Sequence, residues 1–239
     1  MSSPYFRFKQ FIVWHDHCAM KVGTDGVLLG AWAGSESNSL AKLRILDIGT
    51  GSGLVALILA QRFPRSIIDG IDIDASAAKQ AKDNFAYSPF NDRLHAYCSS
   101  LQKWETKEKY DMIVSNPPYF SNSLLCPNET RTNARHNNML SFADLLLHSE
   151  RLLTKNGIVT FILPADAEKE ILTQARVMQL YCIRHCCIHT TASKPVKRIL
   201  ISFSRQAPTT PLISEQLCLS EAGQVRSVAY SALTKDLYL

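Results

Sequence analysis

The hydrophobic positions of the chain follow two alternating patterns. Short apolar runs, typical of strands buried in a sheet, are separated by stretches in which apolar residues recur with helical spacing. The strand pattern is found at residues 44–48, 67–73, 94–98, 110–114, 158–163, 181–189 and 198–204. The helical pattern is found at residues 54–62, 75–85, 142–153 and 166–180. This alternation predicts an α/β protein with a mostly parallel, doubly wound sheet.

The last two predicted strands are arranged differently from the others. No helix separates residues 181–189 from residues 198–204, so these strands are expected to pair antiparallel as a hairpin. We expect a core at residues 41–205, preceded by an arm at residues 1–40. Residues 206–239 are expected to form a tail that belongs to the same globular unit.

Two helix ends carry recognisable capping residues. Asp74 precedes the alanine-rich helix at 75–85 and is expected to act as its N-cap. Asn156 and Gly157 are expected to end the helix at 142–153, because both residues favour C-terminal caps.

The composition is that of an ordinary globular protein, with 46% hydrophobic and 20% charged residues. The longest apolar runs, such as residues 54–60, are too short to span a membrane. The N-terminus lacks the apolar core of a signal peptide, so we expect a cytoplasmic protein. The net charge of +5 permits an anionic partner but does not by itself indicate one.

The cysteines do not suggest a metal site. Cys182, His185, Cys186, Cys187 and His189 lie close together in sequence, but they fall in a predicted strand, which turns neighbouring side chains to opposite faces. No second ligand pair stands at zinc-finger spacing. We therefore expect reduced thiols and no bound metal.

A glycine-rich turn follows the first strand of the predicted sheet. Asp47 is followed by Gly49, Gly51 and Gly53 before the next helix begins. Glycines at such a turn let the backbone bend tightly and approach a ligand. The spacing differs from the dinucleotide fingerprint, because Leu54 stands three residues after Gly51. The turn alone is weak evidence for a particular cofactor.

Polar residues end the next three strands, at the sheet edge where ligands of such folds bind. Asp72 follows the glycines by about 20 residues, the position at which an acid accepts hydrogen bonds from both ribose hydroxyls. The third strand ends in Cys98-Ser99-Ser100-Leu101, where a polar side chain could reach an adenine edge. The fourth strand is followed by Asn116-Pro117-Pro118-Tyr119, for which a plain turn is the alternative explanation.

These motifs, in this order, resemble those of the class I S-adenosylmethionine-dependent methyltransferases. The resemblance implies a Rossmann-like, seven-stranded sheet with an antiparallel last strand and helices on both faces. The N-P-P-Y sequence is similar to that of enzymes that methylate a planar nitrogen: adenine N6, cytosine N4 or a glutamine amide. The residues implied to hold S-adenosylmethionine are Lys21, Thr24, Asp47, Gly49, Gly51, Gly53, Asp72, Ile73, Ser100 and Asn116.

The flanking sequences resemble one bacterial subfamily, the tRNA1(Val) (adenine(37)-N6)-methyltransferases. The similar segments are residues 6–11, 15–30, 134–136 and 233–239. The resemblance implies that Lys21, Thr24 and Asp25 belong to a lid, formed by the arm, over the methionine end of the cofactor. The alternative for Thr24 or Asp25 is a structural role as a helix N-cap. Related sequences place an acid where this chain has Ser100, whose hydroxyl accepts a weaker hydrogen bond from the adenine amine.

The resemblance also implies catalytic roles for Asn116, Pro117, Pro118 and Tyr119. Hydrogen bonds from the amine to the Asn116 side chain and the Pro117 carbonyl would favour a pyramidal nitrogen with a localised lone pair. The two prolines remove competing donors and stiffen the strand end. Tyr119 is expected to stack on the base.

The implied partner is tRNA, bound by a monomer that needs neither a membrane nor a metal. Two basic clusters are candidates for phosphate contacts, although each is equally well explained as a solvated surface. One cluster, after the N-P-P-Y sequence, consists of Arg131, Arg135 and His136. The other, in the late hairpin, consists of Lys194, Lys197 and Arg198. Three further aromatic residues are expected in the core or lid rather than in base stacking: Phe6, Phe8 and Phe11.

Two alternatives remain at this stage. The N-P-P-Y sequence also fits a protein glutamine methyltransferase acting on translation release factors, but those enzymes carry a longer helical domain before the catalytic one. The other alternative is a cofactor-binding scaffold without catalysis. Asn116 and Gly51, which such a scaffold would not need to keep, are both intact and argue against it.

Overall fold

The computed structural model describes residues 3–18, 20–35, 38–118, 140–209, 211–212, 214–221 and 225–239. The helices are α1 (Thr24–Trp32), α2 (Leu54–Arg62), α3 (Ala75–Ala86), α4 (Phe142–Leu152), α5 (Glu168–Val177) and α6 (Val228–Thr234). The strands are β1 (Tyr5–Arg7), β2 (Ile12–Trp14), β3 (Arg44–Ile48), β4 (Ile67–Asp72), β5 (Leu94–Cys98), β6 (Tyr110–Ser115), β7 (Leu153–Pro164), β8 (Tyr181–His189), β9 (Val196–Ser204) and β10 (Ser214–Cys218).

The main sheet has the strand order β10-β8-β9-β7-β6-β3-β4-β5. Strands β3 to β7 pair parallel, and β9 runs antiparallel to both of its neighbours, β7 and β8. The structure therefore confirms the doubly wound sheet and the late hairpin. The carboxyl ends of the parallel strands lie at one edge, where the glycine turn and Asn116 follow β3 and β6.

The predicted number of seven strands is wrong for this chain, because the described part of the main sheet has eight. The tail contributes β10, which pairs parallel with residues 185–189 of β8. Without β10, this part of β8 would present an unpaired row of backbone N–H and C=O groups at the sheet edge. The additional strand satisfies those groups and brings Leu219 back towards the core.

The prediction that Asn156 and Gly157 end a helix is also wrong. Helix α4 ends at Leu152, and β7 begins at the next residue, so both lie within the strand. The backbone of Tyr110 passes close by: a Cβ added at Gly157 would lie 2.9 Å from the Tyr110 carbonyl oxygen. The glycine is thus explained by strand packing instead of by a helix cap.

Two hydrophobic layers cover the sheet. One cluster includes residues of α1, α2 and the arm, among them Phe8 and Phe11, which confirms the predicted core location of these two rings. The other cluster includes residues of α4 and α5, such as Leu145 and Ile171. The arm and the tail also meet directly, since the Lys9 amide donates to the Leu237 carbonyl at 2.9 Å.

The helices in these described ranges include none with the length and apolar character needed to cross a membrane. Over the same ranges, no cluster of His, Cys, Asp or Glu side chains is arranged to hold a metal ion.

Candidate active site

The glycine turn after β3 adopts a backbone conformation that favours glycine. The φ angles of Gly49, Gly51 and Gly53 are 69°, 55° and 80°. The amides of Gly49 and Thr50 both donate to the Ile71 carbonyl of β4, at 2.9 and 3.0 Å. These hydrogen bonds fold the turn back across the carboxyl ends of β3 and β4.

The three glycines serve different purposes. A Cβ at Gly53 would lie 2.4 Å from the Phe85 ring, so this residue, the N-cap of α2, is required for packing against α3. A Cβ at Gly49 would meet nothing within 4 Å, and one at Gly51 would be 4.0 Å from the Gly49 carbonyl. The space over Gly49 and Gly51 is therefore open to a ligand.

Both carboxylate oxygens of Asp72 accept backbone hydrogen bonds, one of them from the glycine turn. Its Oδ2 accepts from the Gly51 amide at 2.9 Å, and its Oδ1 accepts from the Asp74 amide at 2.9 Å. Each oxygen retains a further lone pair, so two ribose hydroxyls can still donate to this half-buried group. Asp74 itself accepts from the Ser76 amide at 2.8 Å, which confirms it as the N-cap of α3.

Ile73 and Ser100 flank Asp72. Ile73 is 68% exposed, so its apolar surface is available to a flat ring. The Ser99 amide donates to the Asp72 carbonyl at 2.9 Å, which holds the end of β5 beside Asp72. Ser100 follows at the start of a 3-10 turn, and its hydroxyl makes no capping hydrogen bond there.

Asp47 lies beneath the turn and is buried. The Thr50 hydroxyl donates to its Oδ2 at 2.7 Å. Removal from solvent raises the pKa of this carboxyl to about 7, the nearby Asp72 adds to the rise, and the Thr50 hydrogen bond opposes it. Asp47 therefore exchanges its proton near neutral pH, where a bound cation would favour its charged form.

A cavity of about 450 Å³ opens at this edge of the sheet, a volume typical of small-molecule sites. Predicted site residues in its wall are Lys21, Thr24, Asp47, Gly49, Gly51, Asn116, Lys197 and Arg198. Seven other predicted site residues that are also described do not line it: Gly53, Asp72, Ile73, Ser100, Pro117, Pro118 and Lys194. The cavity thus joins the glycine turn to Asn116, while Asp72 contacts the turn from its side.

Asn116 owes its position to the pairing of β6 with β3. Ser115 lies opposite Ile48 in this pair, and its hydroxyl donates to the Ile48 carbonyl at 2.8 Å. This buried hydrogen bond fixes the end of β6 next to the start of the glycine turn. Pro117 is buried and Pro118 is exposed. Four predicted residues lie outside the described residues: Tyr119, Arg131, Arg135 and His136.

The second basic cluster is divided by the structure. Lys197 and Arg198 lie in the cavity wall, whereas Lys194 is exposed in the turn between β8 and β9. The Arg198 Nε donates to Asp25 Oδ2 at 2.8 Å, which connects β9 to the first turn of α1 across the cavity. The solvated-surface explanation therefore does not apply to Arg198.

Several wall residues were not predicted. Ile188 and Thr190, from the end of β8, and Leu219, from the tail, line the cavity with the predicted residues. The Leu219 amide donates to the His189 carbonyl at 2.9 Å, extending the pairing of β10. Recognising β10 in the sequence would have been the only route to Leu219, because its own residue type carries no chemical signal.

Comparisons with known proteins agree with this geometry. Residues 35–168 match the family model described as methyltransferase small domain. Two similar proteins are the tRNA1(Val) (adenine(37)-N6)-methyltransferases of Parabacteroides distasonis, 46% identical, and Bacteroides fragilis, 47% identical; each alignment covers 100% of this chain and 99% of the relative. A crystal structure of a predicted O-methyltransferase from Agrobacterium tumefaciens is similar in fold, with a TM-score of 0.67 and 17% identity over 89% of this chain and 96% of that one.

Proposed function

We propose that this chain, which belongs to the tRNA1(Val) (adenine(37)-N6)-methyltransferase family, methylates N6 of adenine 37 in tRNA1(Val) with S-adenosylmethionine as cofactor. The observation that supports this best is the shared cavity. Asn116 lines the same cavity as Gly49 and Gly51, so the side chain that accepts hydrogen bonds from the substrate amine shares this space with the glycine turn.

The residues around the turn fit the cofactor. The open space over Gly49 and Gly51 admits a ligand close to the backbone, and Asp72 offers lone pairs for two ribose hydroxyls. Ile73 would pack on the adenine, with the Ser100 hydroxyl near its amine. Lys21, Thr24 and Asp47 would surround the methionine end. When bound, S-adenosylmethionine supplies a methyl group on a positively charged sulfur.

Asn116 and Pro117 activate the acceptor nitrogen in this proposal. The lone pair of adenine N6 is delocalised into the ring, which makes the amine a weak nucleophile. Acceptance of its two N–H bonds by the Asn116 side chain and the Pro117 carbonyl favours a pyramidal nitrogen. Pro118 stiffens the backbone, and Tyr119 stacks on the base. The amine becomes acidic only as it gains the methyl group, so its proton can leave to solvent without a strong base.

The tRNA contacts remain predictions. Lys197 and Arg198, in the cavity wall, are the described residues best placed to meet phosphates near the target base. The other candidates are Lys194 on the neighbouring turn and the cluster of Arg131, Arg135 and His136. A cytoplasmic location is expected, because the tRNA substrate is in the cytoplasm, and a monomeric state stays a prediction.

The test is methyl transfer from labelled S-adenosylmethionine to three acceptors: unmodified tRNA1(Val) transcript, duplex DNA and a translation release factor. We expect label in the tRNA alone, recovered as N6-methyladenosine after nuclease digestion. Label in the release factor with none in tRNA would replace this proposal with the glutamine methyltransferase. No transfer to any acceptor, with intact cofactor binding, would favour a scaffold.

A further inference from the structure

The arm begins with a two-stranded ribbon whose faces differ in character. In the β1–β2 pair, Tyr5 lies opposite Trp14, Phe6 opposite Val13, and Arg7 opposite Ile12. Residues directly opposite each other share a face, and successive residues alternate between faces. Tyr5, Trp14, Arg7 and Ile12 therefore occupy one face. Val13, which is fully buried, and Phe6, which is 37% exposed and packs against Phe8 and Tyr238, occupy the other.

The aromatic pair on the first face is exposed. Tyr5 and Trp14 each retain 40% of their surface accessible, although their ring centroids are only 4.9 Å apart, and their ring planes are tilted by 51°, so each ring offers its own face. The core beneath the ribbon is filled by other residues, chiefly Phe8, Phe11 and Val13. The two exposed rings thus form a small platform that the packing of the protein does not require, with the exposed Arg7 at its side.

The platform is held firmly beside the glycine turn. The Trp14 amide donates to Asn84 Oδ1 at 3.0 Å, and Asn84 Nδ2 donates to the Trp14 carbonyl at 2.8 Å. The same Nδ2 donates to the Ser52 carbonyl in the glycine turn at 2.7 Å. One buried side chain therefore joins the ribbon to the turn. Further along the chain, Met20 and Lys21 enter the cavity wall.

We propose that Tyr5 and Trp14 form a stacking surface for unpaired bases of the RNA substrate, with Arg7 contacting the adjoining phosphate. Exposed aromatic rings beside a cation are what single-stranded nucleic acids bind, because every base offers a π-face. Protein interfaces are also enriched in Tyr, Trp and Arg, so the residue types alone do not select the partner. RNA is favoured because Asn84 joins the ribbon to the glycine turn of the candidate active site. The inference rests on the proposed function, since it presumes an RNA substrate.

Binding of unmodified tRNA1(Val) transcript at fixed salt tests the platform. We expect Trp14→Ala and Tyr5→Ala each to weaken tRNA binding by about tenfold or more, and Trp14→Phe, which keeps a ring, to remain within about threefold of the parent. Tyr181→Ala is the matched control. Tyr181 is 46% exposed but lies at the start of β8, at the opposite end of the sheet from the cavity, and its replacement should change nothing.

Two further measurements separate stacking from a structural effect. Affinity for S-adenosylhomocysteine should be unchanged in all these variants. The tryptophan emission of the parent should be quenched on tRNA addition, and Trp14→Phe should lose most of that quenching. This readout remains informative even if Trp14→Ala does not fold.

Parental tRNA affinity and quenching in the Trp14 variants would overturn the proposal. If the parent self-associates in sedimentation velocity and the Trp14 variants do not, while their tRNA affinity is unchanged, the exposed rings contact a second copy of the chain and the proposal is overturned. Failure of the proposed function looks different, because the parent itself would then form no N6-methyladenosine. The binding and quenching data would still decide whether Trp14 stacks on RNA.

Discussion

Replacement of Asp72 by Asn tests the cofactor site through a single atom. Both oxygens of Asp72 accept backbone hydrogen bonds, from Gly51 and from Asp74, each at 2.9 Å. An amide has one oxygen and one NH₂ group, so it cannot accept both. The backbone amide of either Gly51 or Asp74 would then face the NH₂ group, which is itself a donor. The ribose hydroxyls would also lose a charged acceptor.

The magnitude follows from these contacts. A hydrogen bond to a charged group contributes about 1.5–3 kcal/mol. Loss of one such bond between a ribose hydroxyl and Asp72 should weaken cofactor affinity by about tenfold to a hundredfold, while loss of the bond to the glycine turn should lower the free energy of unfolding. Asp74→Asn is the matched control, because Asn caps a helix about as well as Asp, so α3 should keep its N-cap.

Titration calorimetry with S-adenosylhomocysteine, together with thermal unfolding, is the assay. We expect Asp72→Asn to weaken binding and Asp74→Asn to bind as the parent does. The opposite order, with Asp74→Asn weak and Asp72→Asn unchanged, would refute the assignment of the ribose contact. Equal losses of affinity and stability in both variants would indicate that this corner serves the fold alone.

Three further predictions concern other charged residues of the site. In a double-mutant cycle of Asp25→Asn and Arg198→Gln, the free energy of unfolding should show a coupling of about 1 kcal/mol, and added salt should reduce this coupling. Additive effects of the two substitutions would contradict the ion pair. The pKa of Asp47 is about 7 in the folded protein against an ordinary 3.8. Between pH 4 and pH 7 the carboxyl is therefore protonated in the folded protein and ionised in the unfolded chain. Stability should therefore fall as pH rises from 4 to 7, by up to about 4 kcal/mol, and Asp47→Asn should remove that dependence in urea unfolding at pH 5 and pH 8; parallel pH dependence in both proteins would contradict it. Lys197→Ala should lower tRNA affinity and reduce the slope of log affinity against log salt by about 1. Lys194→Ala, outside the cavity wall, should change both quantities less, and a larger effect of Lys194→Ala would place the RNA elsewhere.

The sequence predicted the central elements well because their patterns are unambiguous. The bounds of β3, β5, β8 and α2 agree with those expected, since each is an apolar or regularly patterned run closed by turn residues. Asp74 was likewise recognisable as an N-cap from its position before an alanine-rich helix.

The failures have local physical causes. Asn156 and Gly157 look like a helix end, but they lie in β7, which pairs with β6, and the Tyr110 backbone passes close to Gly157. Strand β10 is short and begins with Ser-Glu-Gln, so it lacks any apolar alternation. Its existence depends on the open edge of β8, a tertiary property that no local pattern carries.

The candidate site was predictable only in part for the same reason. Each motif at a strand end could be placed by the rule that ligands bind at the carboxyl edge of a parallel sheet. The hydrogen bond between Arg198 and Asp25 joins residues separated by 173 positions, so local sequence patterns could not reveal it. That contact changed the interpretation of Arg198 from a surface cation to a residue of the cavity wall.

The most direct test of the account is single-turnover methyl transfer by Asn116→Ala to unmodified tRNA1(Val) transcript. Asn116 lies in the cavity wall beside the glycine turn, and its oxygen should matter chiefly as the amine becomes pyramidal. The variant should fold and bind cofactor and tRNA nearly as the parent does, yet form N6-methyladenosine about 10²–10³ times more slowly. Methylation at the parental rate would contradict the catalytic role of Asn116, and the N-P-P-Y segment would then be only a turn.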